Sequence, residues 1–323
     1  MDNITHTLAG GLIAEMGLRK RSRFAFAACL LGANAPDIDV FAPALLGVQG
    51  ISFHRGPVHS LFAWPILAAG IVAILWLVDR IKPRRADTLP FLPGPLFVVA
   101  FLGVLTHPVL DWLTTYAIAM LAPASWRWDS GDAIFIVDWV YLLLMVGGIV
   151  ASGRRWKRGA SDPGRPAQIA FAGVMLYIGL NLAESRWVER TTADQLRAHG
   201  IEPALVVASP PPILFWKRTV AWRSASDYGR GDYDPFGGGL ITDLARQPLD
   251  LDSPVLVKAR AQSRRVAAFL AWSRMPVVIA QDGKPYLTDQ RYYDPAAVRA
   301  LPGWLRGLAG RAPFLVPLEP PPQ

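Results

Sequence analysis

The sequence of 323 residues holds a single cysteine, Cys29, so it can form neither an intramolecular disulfide nor a cysteine-based metal cluster. Cys29 lies in an apolar run and reads as a small buried hydrophobe. Charge is also scarce. Asp, Glu, Lys and Arg make up 18% of the residues against 52% hydrophobic, and the mean hydropathy is +0.27. That balance excludes an ordinary soluble protein. A net charge of +8 remains, but its pattern does not fit nucleic acid. The basic residues neither follow one helix nor interleave with aromatics. They fall in short clusters between apolar runs, so no nucleic-acid partner is expected. There is no internal repeat. Histidine is sparse and unevenly placed: His6, His54, His59 and His107 lie in the first 107 residues, and His199, in a charged stretch, reads as a surface residue.

What the chain does have is long apolar runs. Leu61 to Val78, Pro95 to Leu121, Ala133 to Ala151 and Ala167 to Ala183 read as four full membrane spans. Pro108 is expected to kink or break the second of them. Asn3 to Leu18 and Phe24 to Ala35 read as short helices, below the ~20 residues that a spanning helix needs. They are short spans or a re-entrant pair shielded by other helices. Gly10, Gly11 and Ala14 favour close packing of the first. A signal peptide with its cut after Ala33-Asn34-Ala35 is the rival reading, and Pro36 and the late start argue against it. Beyond Glu184 no membrane-length run follows, and Gly, Pro and charge are common. Ala204 to Ala208, Ile213 to Trp222, Pro276 to Ala280 and Pro285 to Tyr293 read as strands, with Asp282-Gly283 as a hairpin turn. Pro254 to Trp272 reads as a helix. The expected fold is therefore a mainly α-helical integral membrane domain over 1–185, a smaller soluble α/β domain over 186–318, and a disordered Pro-rich tail over 319–323.

Three basic clusters, Arg19 to Arg23, Arg80 to Arg85 and Arg154 to Arg158, mark the cytoplasmic face. Alternation then puts the N-terminus, the loops 36–57 and 122–132, and the C-terminal domain on the opposite face. His6, Asp37, Asp39, His54, His59, His107, Asp111 and Asp138 all fall towards that opposite face. They were not used to derive the topology, so their convergence is independent of it.

His107 and Asp111 are four apart, hence on one face of a helix. Asp37 and Asp39, two apart, would share one side of an extended loop. His54 and His59 are five apart, and the Gly56-Pro57 turn must fold them together, with Pro57 suited to opening a helix. Imidazoles with carboxylates suit Zn²⁺ foremost, or Mn²⁺ or Fe²⁺, and there are enough of them for one or two ions. Arg55 is a candidate substrate-anion contact and Asp39 a candidate catalytic carboxylate. Each has a plainer reading. Asp138 could pack a helix, Pro36 to Asp39 could be a capped turn, and Arg55 could anchor at the interface. An intramembrane aspartate, however, costs about 2.5–3.5 kcal/mol on insertion scales, which favours function for Asp111. Ser60 reads as a helix-start hydroxyl, and Asp129 and Asp132 as solvated loop residues.

The ordered set Thr5-His6, Pro36-Asp37-Ile38-Asp39, His54-Arg55-Gly56-x-x-His59-Ser60, His107-x-x-x-Asp111 and Ile134-Phe135-Ile136-Val137-Asp138 resembles the bacterial YdjM-like membrane-bound metal-dependent hydrolases over about the first 185 residues. That resemblance implies an inner-membrane hydrolase with these His and Asp residues as metal ligands. The family is distantly similar to zinc-dependent phospholipase C and nuclease P1, whose His-x-x-x-Asp pair His107 and Asp111 match. Their His-x-x-x-Glu pair and N-terminal Trp are absent here, which leaves one or two metals rather than three. The expected function is hydrolysis, by a metal-activated water at the periplasmic face, of a phosphoester of a lipid or other membrane-associated small molecule. The bilayer is the expected partner, and no organic cofactor is expected. A transporter or channel with an intramembrane His/Asp path, or a membrane-anchored assembly protein, stays open as an alternative. The topology predicts that alkaline phosphatase fused after the C-terminal domain is active and that a GFP fusion there is dark. A fluorescent GFP fusion would invert the assignment.

Overall fold

A computed structural model describes residues 1–47, 49–82, 88–281, 283–293 and 314–318. The expected tail 319–323, Asp282 of the hairpin turn, and Arg84 and Arg85 of the second basic cluster lie outside the described residues. The chain forms two compact units. The first comprises Met1–Val48, Phe53–Glu184 and Pro210–Phe215, and the second Gln49–Ser52, Ser185–Ser209 and Trp216–Gln323.

The first unit is helical. α1 (Asn3–Glu15) starts at Asp2, whose carboxylate accepts from the backbone N–H groups of Ile4 and Thr5. α2 (Ala25–Asn34) runs into a 3-10 helix over Ala35–Phe41, then into α3 (Ala42–Leu46) and the short α4 (Gly50–Phe53). α5 (Trp64–Ile81), α6 (Pro93–Trp112), α7 (Trp139–Lys157) and α8 (Arg165–Ala198) follow. Among the described residues, four stretches are long and apolar enough to cross a membrane: Ala25–Leu45, Trp64–Ile81, Pro93–Trp112 and Arg165–Ala198.

These differ from the expected spans in instructive ways. The run after Phe24 does not stop at Ala35, because the 3-10 helix carries it on to membrane length. α6 passes through Pro108, which removes only one i→i−4 bond, and ends at Trp112 instead of Leu121. Residues 133–138 stay outside α7, because Asp138 caps it and accepts from the Tyr141 N–H at 3.0 Å. α7 therefore shifts into the basic Arg154–Lys157 end, and it is not one of the four membrane-length stretches. α8 continues beyond Ala183 to Ala198, its later turns belonging to the second unit.

α2 is the centre of this unit, and it can be so because its neighbours lack side chains where they cross it. A Cβ on Gly103 of α6 would lie 2.4 Å from the Cys29 carbonyl oxygen, and one on Gly32 would lie 2.5 Å from the Ala100 carbonyl oxygen. A Cβ on Gly10 of α1 would lie 2.8 Å from both the Ala33 Cβ and the Cys29 carbonyl oxygen. Among apolar surroundings such close backbone approach supplies the dispersion contacts that hold helices together. Ala28, Cys29 and Ala33 are accordingly fully buried.

The second unit contains two antiparallel sheets. β1 (Leu205–Ser209), β2 (Arg218–Arg223), β3 (Asp227–Asp234) and β4 (Gly239–Thr242) pair in sequence order, and β5 (Gln247–Pro248) pairs with β3. After α9 (Pro254–Gln262) and α10 (Arg264–Trp272) come β6 (Pro276–Gln281), β7 (Lys284–Asp289) and β8 (Val316–Pro317). The expected single helix 254–272 breaks because Ser263 is extended and its hydroxyl caps α10 at the Val266 N–H, 3.3 Å away. The expected strand from Ile213 starts only at Arg218, Ile213 itself having a left-handed φ of 70°. β3, rich in Asp and Gly, has no counterpart among the expected strands. Gly229 is required there, since a Cβ would sit 2.3 Å from the buried Trp222 ring.

Gly103→Val is expected to destabilise the helical unit by about 2 kcal/mol or more, seen as a lower thermal midpoint in detergent. Gly70→Val on α5, where a Cβ meets nothing within 4 Å, should leave it unchanged. Equal midpoints for the two variants would overturn this packing account.

Candidate metal centre

Four segments of the helical unit bring the polar residues together. The 3-10 helix 35–41 carries Asp37 and Asp39. It is a helical turn of about three residues per turn rather than an extended loop, and both carboxylates still reach His59. Asp37 reaches α6 at His107 and Asp39 reaches His54. The Gly56-Pro57 turn does fold the two histidines together, with ring centroids 5.4 Å apart. Arg55 takes a left-handed φ of 65° to make the reversal, and a Cβ on Gly56 would collide with the Phe53 carbonyl oxygen at 2.8 Å. Pro57 opens a single 3-10 turn, Pro57–His59, and α5 begins only at Trp64. The last turns of α6 supply His107 and Asp111, and α1 supplies His6.

The tightest grouping is Asp37, His59, His107 and Asp111. His59 Nε2 and His107 Nε2 face each other at 3.1 Å. Asp37 Oδ1 lies 3.6 Å from the first and 3.2 Å from the second. Asp111 Oδ2 lies 3.5 and 3.4 Å from the same two nitrogens. A tetrahedral ion with bonds of about 2.0–2.1 Å separates its ligand atoms by about 3.3–3.4 Å. Five of the six separations in this group bracket that value, at 3.1–3.6 Å. Asp111 Oδ2 is buried without a hydrogen-bond partner, which suits an atom whose partner is a cation.

Both imidazoles are held from behind, as metal-ligating histidines are. His107 Nδ1–H donates to the Ala33 carbonyl oxygen at 2.7 Å, leaving the Nε2 lone pair for the cluster. His59 Nδ1 lies 3.0 Å from Asp39 Oδ2. Asp39 also meets His54 Nδ1 at 2.7 Å and accepts the Arg55 backbone N–H at 3.1 Å. Burial pulls the His59 imidazolium down, but Asp111, Asp37 and Asp39 outweigh it and raise its pKa to about 10. The cluster's own charge attracts a cation, whether proton or metal. A second grouping, Asp37, Asp39, His54 and His59, shares two members with the first.

The remaining candidates lie around this core. His6 stacks on His107 with centroids 3.6 Å apart, its Nε2 3.5 Å from Asp111 Oδ1, and belongs to neither grouping. Arg55 is buried, with one guanidinium nitrogen 2.8 Å from Asp111 Oδ1 and another donating to Thr114 Oγ1 at 3.1 Å. Its Nε has no hydrogen-bond partner. Asp138 is not brought to the cluster. It caps α7 and accepts from the Tyr177 hydroxyl at 2.6 Å, a structural use that its place before an apolar helix explains. Asp132, read as solvated, is fully buried and accepts from Ser130. Sequence reasoning missed three neighbours: Thr114, Tyr116 under the Arg55 guanidinium, and the Met1 amino group, which contacts Asp111. Thr114 follows Asp111 by three residues, the one spacing that could have flagged it.

Fold and site together define a helical protein with membrane-length apolar helices around a buried cluster of imidazoles and carboxylates. The sequence model of the YdjM inner membrane protein family matches residues 1–188, and the chain belongs to that family. No curated protein and no solved structure matches the chain.

Metal analysis of the purified protein is expected to find a bound divalent ion. His59→Ala and His107→Ala should lose it, Asp39→Asn should bind it about 10–100-fold more weakly, and Asp138→Asn should keep it. Full occupancy in His59→Ala would overturn the assignment.

Proposed function

We propose that this protein is a metal-dependent hydrolase at the periplasmic face of the inner membrane, cleaving a phosphoester of a lipid or membrane-associated substrate. The observation that carries the reading is the near-tetrahedral spacing of donor atoms from Asp37, His59, His107 and Asp111. A divalent ion held by a subset of these residues, with a position left open for water, would supply Lewis-acid polarisation of a phosphoryl oxygen and would lower the pKa of that water. Zn²⁺ fits two nitrogen and two oxygen donors, and the second grouping gives room for a further ion.

The side chains divide the remaining work. His107 and His59 are oriented by Ala33 and Asp39, so their Nε2 atoms stay directed at the cluster. Arg55, fixed by Asp111 and Thr114, offers its Nε–H to an anionic substrate oxygen. Asp39 and His54 form a hydrogen-bonded pair whose imidazole is partly open to solvent, a route by which a proton leaves the site.

The surroundings of Asp37 favour a membrane-borne substrate. Asp37 is the partly exposed carboxylate of the cluster, and its neighbours Ile38, Val40 and Leu45 expose 62%, 61% and 77% of their surface. Exposed apolar residues beside a partly exposed carboxylate suit an acyl-chain surface better than water.

Purified protein supplied with Zn²⁺ or Mn²⁺ is expected to hydrolyse bis-p-nitrophenyl phosphate or a long-chain phospholipid. Chelation should abolish turnover, restored ion should recover it, and His107→Ala should lower it by about 10²-fold or more. Turnover indifferent to chelator and to His107→Ala, or none on any phosphoester, would contradict the reading.

A further inference from the structure

Away from the metal cluster, α1, α6, α7 and α8 leave a cavity of about 460 Å³ between them. That volume lies within the ~300–1,000 Å³ usual for ligand sites. Its walls are almost wholly apolar, with Ala9, Leu12, Leu105, Val109 and Val174 among them. The Thr106 hydroxyl, also in the wall, donates to the Gly103 carbonyl oxygen at 2.7 Å and is already satisfied. A polar ligand would therefore lose its hydration for nothing in return.

Two features identify what does fit. First, the cavity opens onto the outer surface of two membrane-length helices. Val109 of α6 and Met175 of α8 line it and are 41% and 43% exposed. Its interior is thus continuous with the apolar face that these helices offer to acyl chains in an inner-membrane protein. Second, it has a charged end. Met16 and Leu18 line it there, and the 3-10 turn Leu18–Lys20 follows at once, with Arg19 paired to Glu15 at 2.8 Å and Lys20 and Arg21 exposed. An apolar slot open to the bilayer and flanked by a basic turn matches an anionic amphiphile.

We infer that this cavity binds one acyl chain of an anionic phospholipid whose phosphate meets Lys20 and Arg21. The site uses the α6 face of Leu102, Leu105, Thr106 and Val109, whereas His107 and Asp111 belong to the neighbouring buried face. It does not depend on hydrolysis at the metal cluster. The bound chain backs α1 and α6, with Ala9 one turn from His6 and Leu110 beside Asp111, and so supports the helices that carry the cluster.

The test is native mass spectrometry of the full-length protein after detergent exchange, with thermal unfolding in added phosphatidylglycerol or phosphatidylcholine. Wild type is expected to retain one phosphatidylglycerol, and that lipid should raise Tm by about 4 °C, phosphatidylcholine by far less. Leu105→Trp and the exposed-edge variant Met175→Trp should lose both retention and shift. The double variant Lys20→Glu, Arg21→Glu should lose the preference for the anionic lipid. Val98→Trp, exposed on α6 outside the cavity, should behave as wild type. Equal effects of the two lipids, lipid retained in both tryptophan variants, or a dimer that those variants dissociate would each overturn the inference.

Discussion

Three aspartates held close together set the terms for the rest of this protein. Asp37, Asp39 and Asp111 are linked through His59, and each taken alone would be costly to bury. Positive charge is the remedy, and the structure supplies it from several directions. Arg55 pairs with Asp111, the Met1 amino group contacts the same carboxylate, and Asp111, Asp37 and Asp39 together raise the pKa of His59. Even so, Asp111 Oδ2 lacks a hydrogen bond, and two imidazole nitrogens point at one another across the space that it faces. Two nitrogens and two carboxylate oxygens converge there at 3.1–3.6 Å. A metal ion bound among them, as proposed above, would satisfy all four at once.

The helical packing exists to deliver those atoms. α2 ends at Asn34 and passes into the 3-10 helix that bears Asp37 and Asp39, so the position of α2 fixes both carboxylates. That position is set by Gly10, Gly32 and Gly103, where backbones of α1, α2 and α6 meet without side chains between them. The Ala33 carbonyl, near the end of α2, then becomes the acceptor that orients His107 on α6. Packing of small residues and aim of the metal-facing nitrogens are one construction.

Much of this was legible in the chain itself, because membrane-length apolar runs, and His and Asp within or beside them, are conspicuous against their surroundings. His107 and Asp111 followed from helical periodicity, and the Gly56-Pro57 reversal from turn chemistry. Other features were not legible. The 3-10 continuation after Ala35 has no strong propensity signature, so Asp37 and Asp39 looked like loop residues sharing a side. Asp138 looked like a ligand because a buried carboxylate near a span suggests function, yet a helix N-terminus and the Tyr177 hydroxyl satisfy it locally. The pairing of Arg55 with Asp111 bridges distant parts of the sequence and could not be read from it. In the second unit, the Gly and Asp of β3 concealed a strand whose glycine is dictated by the Trp222 ring packed against it.

The central claim is that Asp37, His59, His107 and Asp111 form one metal site. X-ray absorption spectroscopy of the zinc-loaded protein tests it most directly. The account predicts a first shell of nitrogen and oxygen at about 2.0–2.1 Å with the multiple-scattering pattern of two imidazoles, reduced to one in His107→Ala. Zinc bound without imidazole scattering, or a spectrum that His107→Ala leaves unchanged, would contradict it.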